Sequence, residues 1–334
     1  MEKGNEIKTV VPTLRFPEFR EMNGWEILPM EYLCQILNNQ RKPIPEILRV
    51  KGPYPYYGAS GIVDYINNYI FDEELLLIGE DGAKWGAYEN SAYIANGKYW
   101  VNNHAHVLRP IRVNIVVLKN YLIQLDLTQY ITGAAPPKLT LGKLKEIRIP
   151  ISKKTQEQQK IADCLSSLDE LIEATTQKVE ALKEHKKGLM QRLFPAEGKN
   201  VPDLRFPEFQ ASEKWKRKII QDICNITTGN KNTQDKKENG IYPFFVRSPK
   251  VERIDSWSFD GEAILTAGDG VGVGKIFHYY VGKMGVHQRV YLLYDIQCNS
   301  KYLYYFFSEF FYERVKKMSA KNSVDSVRKD MISD

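Results

Sequence analysis

The chain has 334 residues, a formal net charge of +6 and a pI near 8.8, with 43% hydrophobic and 26% charged residues. That length supports two cores, and the mild basicity permits a polyanionic partner without demanding one. No apolar run approaches the roughly 20 residues of a membrane helix and the opening MEKGNEIKTV lacks a signal-peptide core, so a cytoplasmic protein with no membrane partner is expected.

The four cysteines, Cys34, Cys164, Cys224 and Cys298, are scattered without a CxxC pair. Reduced, buried thiols are expected in place of a zinc site or a disulfide framework.

Near the start stands VPTLRFPEFR, from Val11, and nearly the same phrase, VPDLRFPEFQ, returns from Val201. The offset between them also carries Trp25 onto Trp215, Cys34 onto Cys224 and Ile36 onto Ile226. At a slightly smaller offset FDEELLLIGEDG, from Phe71, lies over FDGEAILTAGDG, from Phe259. Matching NNHAHVL to GVHQRVYLL then pairs His104 with His287 and His106 with Arg289. A drifting offset is the mark of two copies of one fold that differ in loop length.

Within each copy ELLLIGE and AILTAG read as buried strands, bounded by Asp81-Gly82 and Asp269-Gly270 as turns. NIVVLKNYLIQLDL and SKYLYYFFSEFFYERVKKM each predict a late helix. The expected class is mixed α+β, with two similar strand-rich domains.

Between the copies the pattern changes. Ile161, Leu165, Leu168, Ile172, Val179, Leu182, Leu189 and Leu193, with Thr175 and Lys186 filling the missing beats, recur at alternating spacings of four and three, the seam of a coiled-coil helix. Thr155 with Gln158 predicts a capping-box start, and Pro195 stops the helix. The expected boundaries are a first domain over 1–154, a helical spacer over 155–195 and a second domain over 196–334. At 1.5 Å per residue the spacer would be roughly 55–60 Å long. Twin modules on a stiff rod suit duplex DNA, whose half-sites repeat at about 34–36 Å per turn.

The LRFPEF entry followed by Trp25 or Trp215, the GASGIVDYI segment of the first copy, and IPISKKTQEQQKIADCLSSLDELI at the helix start resemble the specificity subunits of type I restriction-modification systems, often called HsdS. The resemblance covers nearly the whole chain. It implies two target recognition domains, each reading half of an interrupted double-stranded DNA site, and conserved helices that dock methyltransferase subunits, with a restriction subunit as a further partner. Methyl transfer and cleavage, with their S-adenosylmethionine, ATP and Mg²⁺, would belong to those partners, so no cofactor is expected on this chain.

One departure matters. The run GAAPPKLTLGKLKEIRIPI that leads into the first helix has its counterpart in SAKNSVDSVRKDMISD, and the second helix that the resemblance implies is expected to be absent. The Ile161 to Leu193 seam is therefore expected to pair with another chain, a second copy or a methyltransferase subunit, because an exposed apolar seam is costly in water.

Enzyme signatures are weak. AGDGVGVGK, near Gly268, has Val273 where GxGxxG needs glycine, and Ile276 where a P-loop needs Ser or Thr. Ala135-Pro136-Pro137-Lys138 is no substitute for the Asn-Pro-Pro-aromatic tetrad of amino-methyltransferases, and Glu184-His185-Lys186 sits on the heptad helix as solvated charge. His104 and His106 lack the further ligands of a metal site. No catalytic constellation and no metal site are expected.

Candidate DNA contacts are polar or basic loop residues, since amides and guanidinium groups suit base edges and lysines suit phosphates. In the first copy they are Gln40, Arg41, Lys42, Tyr57, Ser60, Lys84, Trp85, Asn102, Asn103 and His106. In the second they are Lys231, Asn232, Arg247, Ser248, Lys275, Gln288, Arg289, Lys321, Asn322, Ser323 and Arg328. Arg289 stands out because arginine is the usual two-point reader of guanine; a plain surface ion pair suits it equally. Two rivals are a shortened assembly protein that occupies the methyltransferase without productive reading, and a nucleic-acid enzyme with an unfamiliar site.

Overall fold

The computed structural model describes residues 8–270, 272–318 and 326–333. Internal contacts divide the chain into two units, residues 1–177 and 178–334.

In the first unit the apolar run Leu75–Gly79 is wholly buried and lies inside a four-stranded sheet of order Cys34–Ile36, Ala105–Pro110, Leu75–Gly79, Ala92–Ala95. A second four-stranded sheet runs Gly61–Ile66, Lys51–Gly58, Lys98–Val101, Phe71–Asp72. A three-stranded sheet joins Thr9–Val10, Trp25–Pro29 and Arg148–Ile151, so the two ends of the module are paired. Three helices cover the core: α1 (Met30–Leu33), α2 (Ile115–Gln124) and α3 (Leu141–Glu146). α2 begins where Asn114 Oδ1 accepts from the amides of Val116 and Val117, which satisfies two of the free N–H groups at a helix start.

The second unit repeats this plan with fewer breaks. One six-stranded sheet has the order Asn225–Thr228, Val290–Tyr294, Phe259–Ala267, Phe277–Val286, Tyr242–Phe245, Glu252–Ile254. The long strand Phe259–Ala267 covers what Phe71–Asp72 and Leu75–Gly79 divide between them in the first unit. Phe277–Val286 likewise covers Ala92–Ala95 and Lys98–Val101.

α4 (Thr155–Leu193) is a single helix of 39 residues that passes through the boundary between the units. Its first turns are docked by side chains and not by the expected capping box. Gln158 is buried, donates to the Ser152 carbonyl at 2.7 Å and accepts from the Asn114 amide at 2.7 Å. Leu168, Ile172, Val179 and Leu182 of the predicted seam are 43–64% exposed, while Ile161, Leu165, Leu189 and Leu193 are half-buried.

α5 (Ser300–Met318) places Leu303, Phe307, Phe311 and Val315 on one stripe at four-residue spacing, all buried against the sheet. Each such side chain contributes about 1.5–3 kcal/mol on burial. α6 (Lys329–Ser333) closes the described chain and packs on α5. Cys34 and Cys224 are buried as expected, and burial pushes their thiols up to about 12 and about 11. Cys164 and Cys298 are exposed, which corrects the expectation for those two. No helix among the described residues is long and apolar enough to cross a membrane.

Candidate nucleic-acid interface

In both units the same set of turns gathers at one end of the strands. In the first, the Lys42 amide donates to Val101 O at 3.2 Å, the Asn102 amide to Tyr57 O at 3.0 Å and the Glu80 amide to His104 O at 2.8 Å. In the second, the Lys231 amide donates to Val286 O at 3.0 Å, the His287 amide to Phe245 O at 3.0 Å and the Gly268 amide to Arg289 O at 2.9 Å. Gly82 and Gly270, with φ of +71° and +82°, turn the chain just after the two aspartates, a conformation that disfavours any residue with a Cβ.

Sheet register fixes which residues correspond. Ala105, His106, Val107 and Leu108 pair with Gly79, Ile78, Leu77 and Leu76; Val290, Tyr291, Leu292 and Leu293 pair with Ala267, Thr266, Leu265 and Ile264. Hence His106 corresponds to Tyr291, His104 to Arg289 and Asn102 to His287, which corrects the pairing of the two histidine motifs read from sequence. The side chains agree: Asn102 Oδ1 accepts from the His104 amide at 2.8 Å, and His287 Nδ1 accepts from the Arg289 amide at 3.1 Å.

His106 is fully buried. Its Nε2 meets Leu139 O at 2.6 Å and its Nδ1 meets Asn38 Nδ2 at 2.8 Å, so Nε2 carries the proton and Nδ1 accepts. Desolvation holds its pKa below the ordinary imidazole value and keeps it neutral. It is a core histidine with no surface to offer a ligand.

Trp85 and Asn102 are also buried; Trp85 Nε1 donates to Gly79 O at 3.1 Å and braces the turn from inside. Tyr57 is half-buried, stacked on Tyr93 with ring centres 5.6 Å apart. Arg41 is a strut: its Nη1 binds Glu80 at 2.7 Å and Ala105 O at 2.8 Å.

Gln40, Lys42, Ser60, Lys84 and Asn103 are exposed, and Trp100 Nε1 pins the Lys42 carbonyl at 2.5 Å. In the second unit Asn232, Arg247, Lys275, Gln288, Arg289 and Arg328 are exposed. Lys231 and Ser248 are half-buried, Lys231 reaching Ser256 at 2.9 Å and Ser248 the Lys250 carbonyl at 3.0 Å. Asn232 shares a capping box with Asp235. Lys275 lies over the Tyr312 ring and Arg328 lies 3.4 Å from Asp330. Lys321, Asn322 and Ser323 lie outside the described residues.

The centre of each turn cluster is a carboxylate that in sequence reads only as a turn residue. Asp81 binds His104 Nδ1 at 2.5 Å and Lys138 Nζ at 2.9 Å; Asp269 binds Arg247 at 2.6 Å and Arg289 at 2.5 Å. Burial raises both carboxyl pKa values, but the basic partners outweigh it and leave each below the ordinary carboxylate range. The Asp-Gly pair common to both copies was the available signal. Among the described residues no group of three or more His, Cys, Asp or Glu side chains could hold a metal ion.

The sequence model of the type I restriction modification DNA specificity domain matches residues 22–184 and again 212–334. A Haemophilus influenzae protein named as a type I restriction enzyme specificity subunit is 40% identical over 144 residues, 42% of this chain and 37% of that protein. The MjaVIII specificity subunit of Methanocaldococcus jannaschii is 24% identical over 277 residues, 78% of this chain and 59% of its own length. The chain thus spans from about a third to somewhat over half of these two relatives. In fold it is similar to the crystal structure of the S subunit of the M. genitalium type I restriction-modification system, with a TM-score of 0.68 at 15% identity over 95% of this chain and 86% of that one. With the domain matched twice, once mainly over the first unit and once within the second, the chain belongs to the type I restriction-modification DNA specificity domain family.

Proposed function

We propose that the chain is the DNA-recognition subunit of a type I restriction-modification system, with each unit reading one part of a bipartite duplex target. The observation that carries this reading is the pair of turn clusters: the same backbone hydrogen bonds hold both, while the exposed side chains differ. A shared frame with different polar heads is what two readers of different sequences require. Lys42, Lys84 and Asn103 in one unit, and Lys231, Arg247, Lys275 and Gln288 in the other, suit phosphates and base edges.

The exposed middle of α4, with Leu168, Ile172, Val179 and Leu182, is the surface we assign to methyltransferase subunits or to a second copy of the chain. Methyl transfer, and cleavage by a restriction subunit, belong in this reading to the partners. The chain would work in the cytoplasm.

The test is to combine the purified chain with the methyltransferase subunit of its system and a methyl donor, and to map methylated bases on genomic DNA. Methylation confined to one bipartite sequence is expected, with none from either protein alone. Random methylation, or the same product without this chain, would refute the reading. Binding is expected to weaken steeply with salt, because neutralised phosphates release counterions.

A further inference from the structure

We infer that His104 and Arg289 are the corresponding base-reading residues of the two units, and that Asp81 and Asp269 are positioning residues that aim them. This rests on the DNA-reading proposal above and names the residues on which discrimination turns.

Sheet register puts the two side chains at one place in the fold. Their carbonyls accept from corresponding amides, Glu80 and Gly268, and their own amides are held by corresponding side chains, Asn102 and His287. With the backbone fixed on both sides of each residue, the direction of its side chain is set by the carboxylate it meets. His104 and Arg289 are half or more exposed, at 50% and 59%, while Asp81 and Asp269 are recessed at 13% and 23%. A recessed acid beneath an exposed base holds one edge of the base and leaves the other edge facing outward.

What faces outward differs. Arg289 gives only Nη1 to Asp269, and among the described residues its Nε and Nη2 meet no hydrogen-bond partner. That free edge is a planar two-donor fork, which matches the O6 and N7 acceptors of guanine in the major groove. His104 gives Nδ1 to Asp81, and among the described residues its Nε2 meets no partner, which leaves a single point of contact. One unit therefore carries a guanine reader where the other carries a one-point contact.

The second basic partner of each carboxylate comes from an unrelated part of the chain, Lys138 in one unit and Arg247 in the other. Charge neutralisation of the aspartate thus does not depend on the residue that reads. Ordinary surface ion pairs have no reason to recur on the same backbone frame, with a recessed aspartate at corresponding positions and the outward base changed.

The experiment selects bound sequences from a pool of randomised duplex DNA, using the full chain and its Arg289→Lys, Arg289→Ala, Asp269→Asn and His104→Ala variants, with deep sequencing of the retained fraction. Wild type is expected to enrich a bipartite sequence with a guanine in the part read by the second unit. Arg289→Lys keeps the charge but not the fork and should lower preference at that one base pair by about tenfold or more, as should Arg289→Ala. Asp269→Asn should lower it at the same base pair by a smaller factor, and His104→Ala should relax one position in the other part only. Retention of full preference by Arg289→Lys, or an equal loss of binding on every sequence, would overturn the inference and leave DNA reading intact. No enriched sequence with wild type would instead sink the DNA-reading proposal, and the inference with it.

Discussion

The two LRFPEF phrases are nearly identical in sequence and differ in fate. In the first, Arg15 donates to the carbonyls of Met22 and Asn23 and also forms a two-point pair with Glu157 of α4 at 2.7 and 2.8 Å. Glu157 further accepts from Trp25 Nε1 and Ser152 Oγ, and burial of the carboxyl is outweighed by these bonds, so its pKa stays below the ordinary value. Phe19 is buried, and Lys160 of α4 lies over the Phe16 ring and pairs with Glu18. In the second, Arg205 donates to the carbonyls of Ser212 and Glu213 in the same way, yet among the described residues no carboxylate meets it. Phe206 and Phe209 are 58% and 54% exposed. The phrase by itself encodes an arginine folded back onto two carbonyls; burial and charge pairing come from the helix start that packs on it.

The sharpest way to break this comparison is to remove the pair. Arg15→Ala or Glu157→Ala strands a buried charge and should cost about 3–5 kcal/mol in denaturant unfolding of the first unit. Arg205→Ala should cost about 1 kcal/mol or less in the second, and equal losses would show the two phrases to be equivalent after all. Phe19→Ala should cost about 3 kcal/mol by cavity formation, and Phe209→Ala a few tenths.

The pH dependence carries the same asymmetry. Because the folded pKa of Glu157 lies below its unfolded value of about 4.3, its stabilisation is complete above that value and disappears as pH falls through the lower, folded one. The stability advantage of wild type over Glu157→Gln should therefore shrink on acidification below about pH 4, whereas Arg205→Ala should track wild type at every pH. The smallest expected difference between the copies is at the tryptophans. Trp25→Phe loses the bond to Glu157 and about 1 kcal/mol; Trp215→Phe, whose ring edges against Tyr302 at 5.7 Å and finds no side-chain hydrogen-bond acceptor among the described residues, should be nearly silent.

The duplication, both late helices and α4 were legible from the residues, because each rests on a local period: alternation for the strands, and four-and-three spacing for the helix. Correspondence between the histidine motifs was not. A slip of two residues leaves every strand side chain on its original face, so the apolar alternation that identified the strand could not reject it. Residue identity favours matching His104 to His287; only the hydrogen-bond ladder sets His287 in correspondence with Asn102. Trp85, Asn102 and His106 read as loop contacts for a similar reason, since polarity in sequence does not report whether a group is met by a partner inside. The role of Asp81 and Asp269 needed Lys138 and Arg247, which are remote from them in sequence.

The shared ladder has a practical consequence for building hybrids. Exchanging the turns between the copies as cassettes requires cuts within Leu75–Gly79 and Ala105–Pro110 on one side and within Phe259–Ala267 and Val290–Tyr294 on the other, joined rung for rung. A graft aligned on the histidines would keep its apolar face inward and would express as a folded protein. Its transplanted tip, however, would stand two rungs out of place, with the donor's arginine carried past the acid meant to receive it.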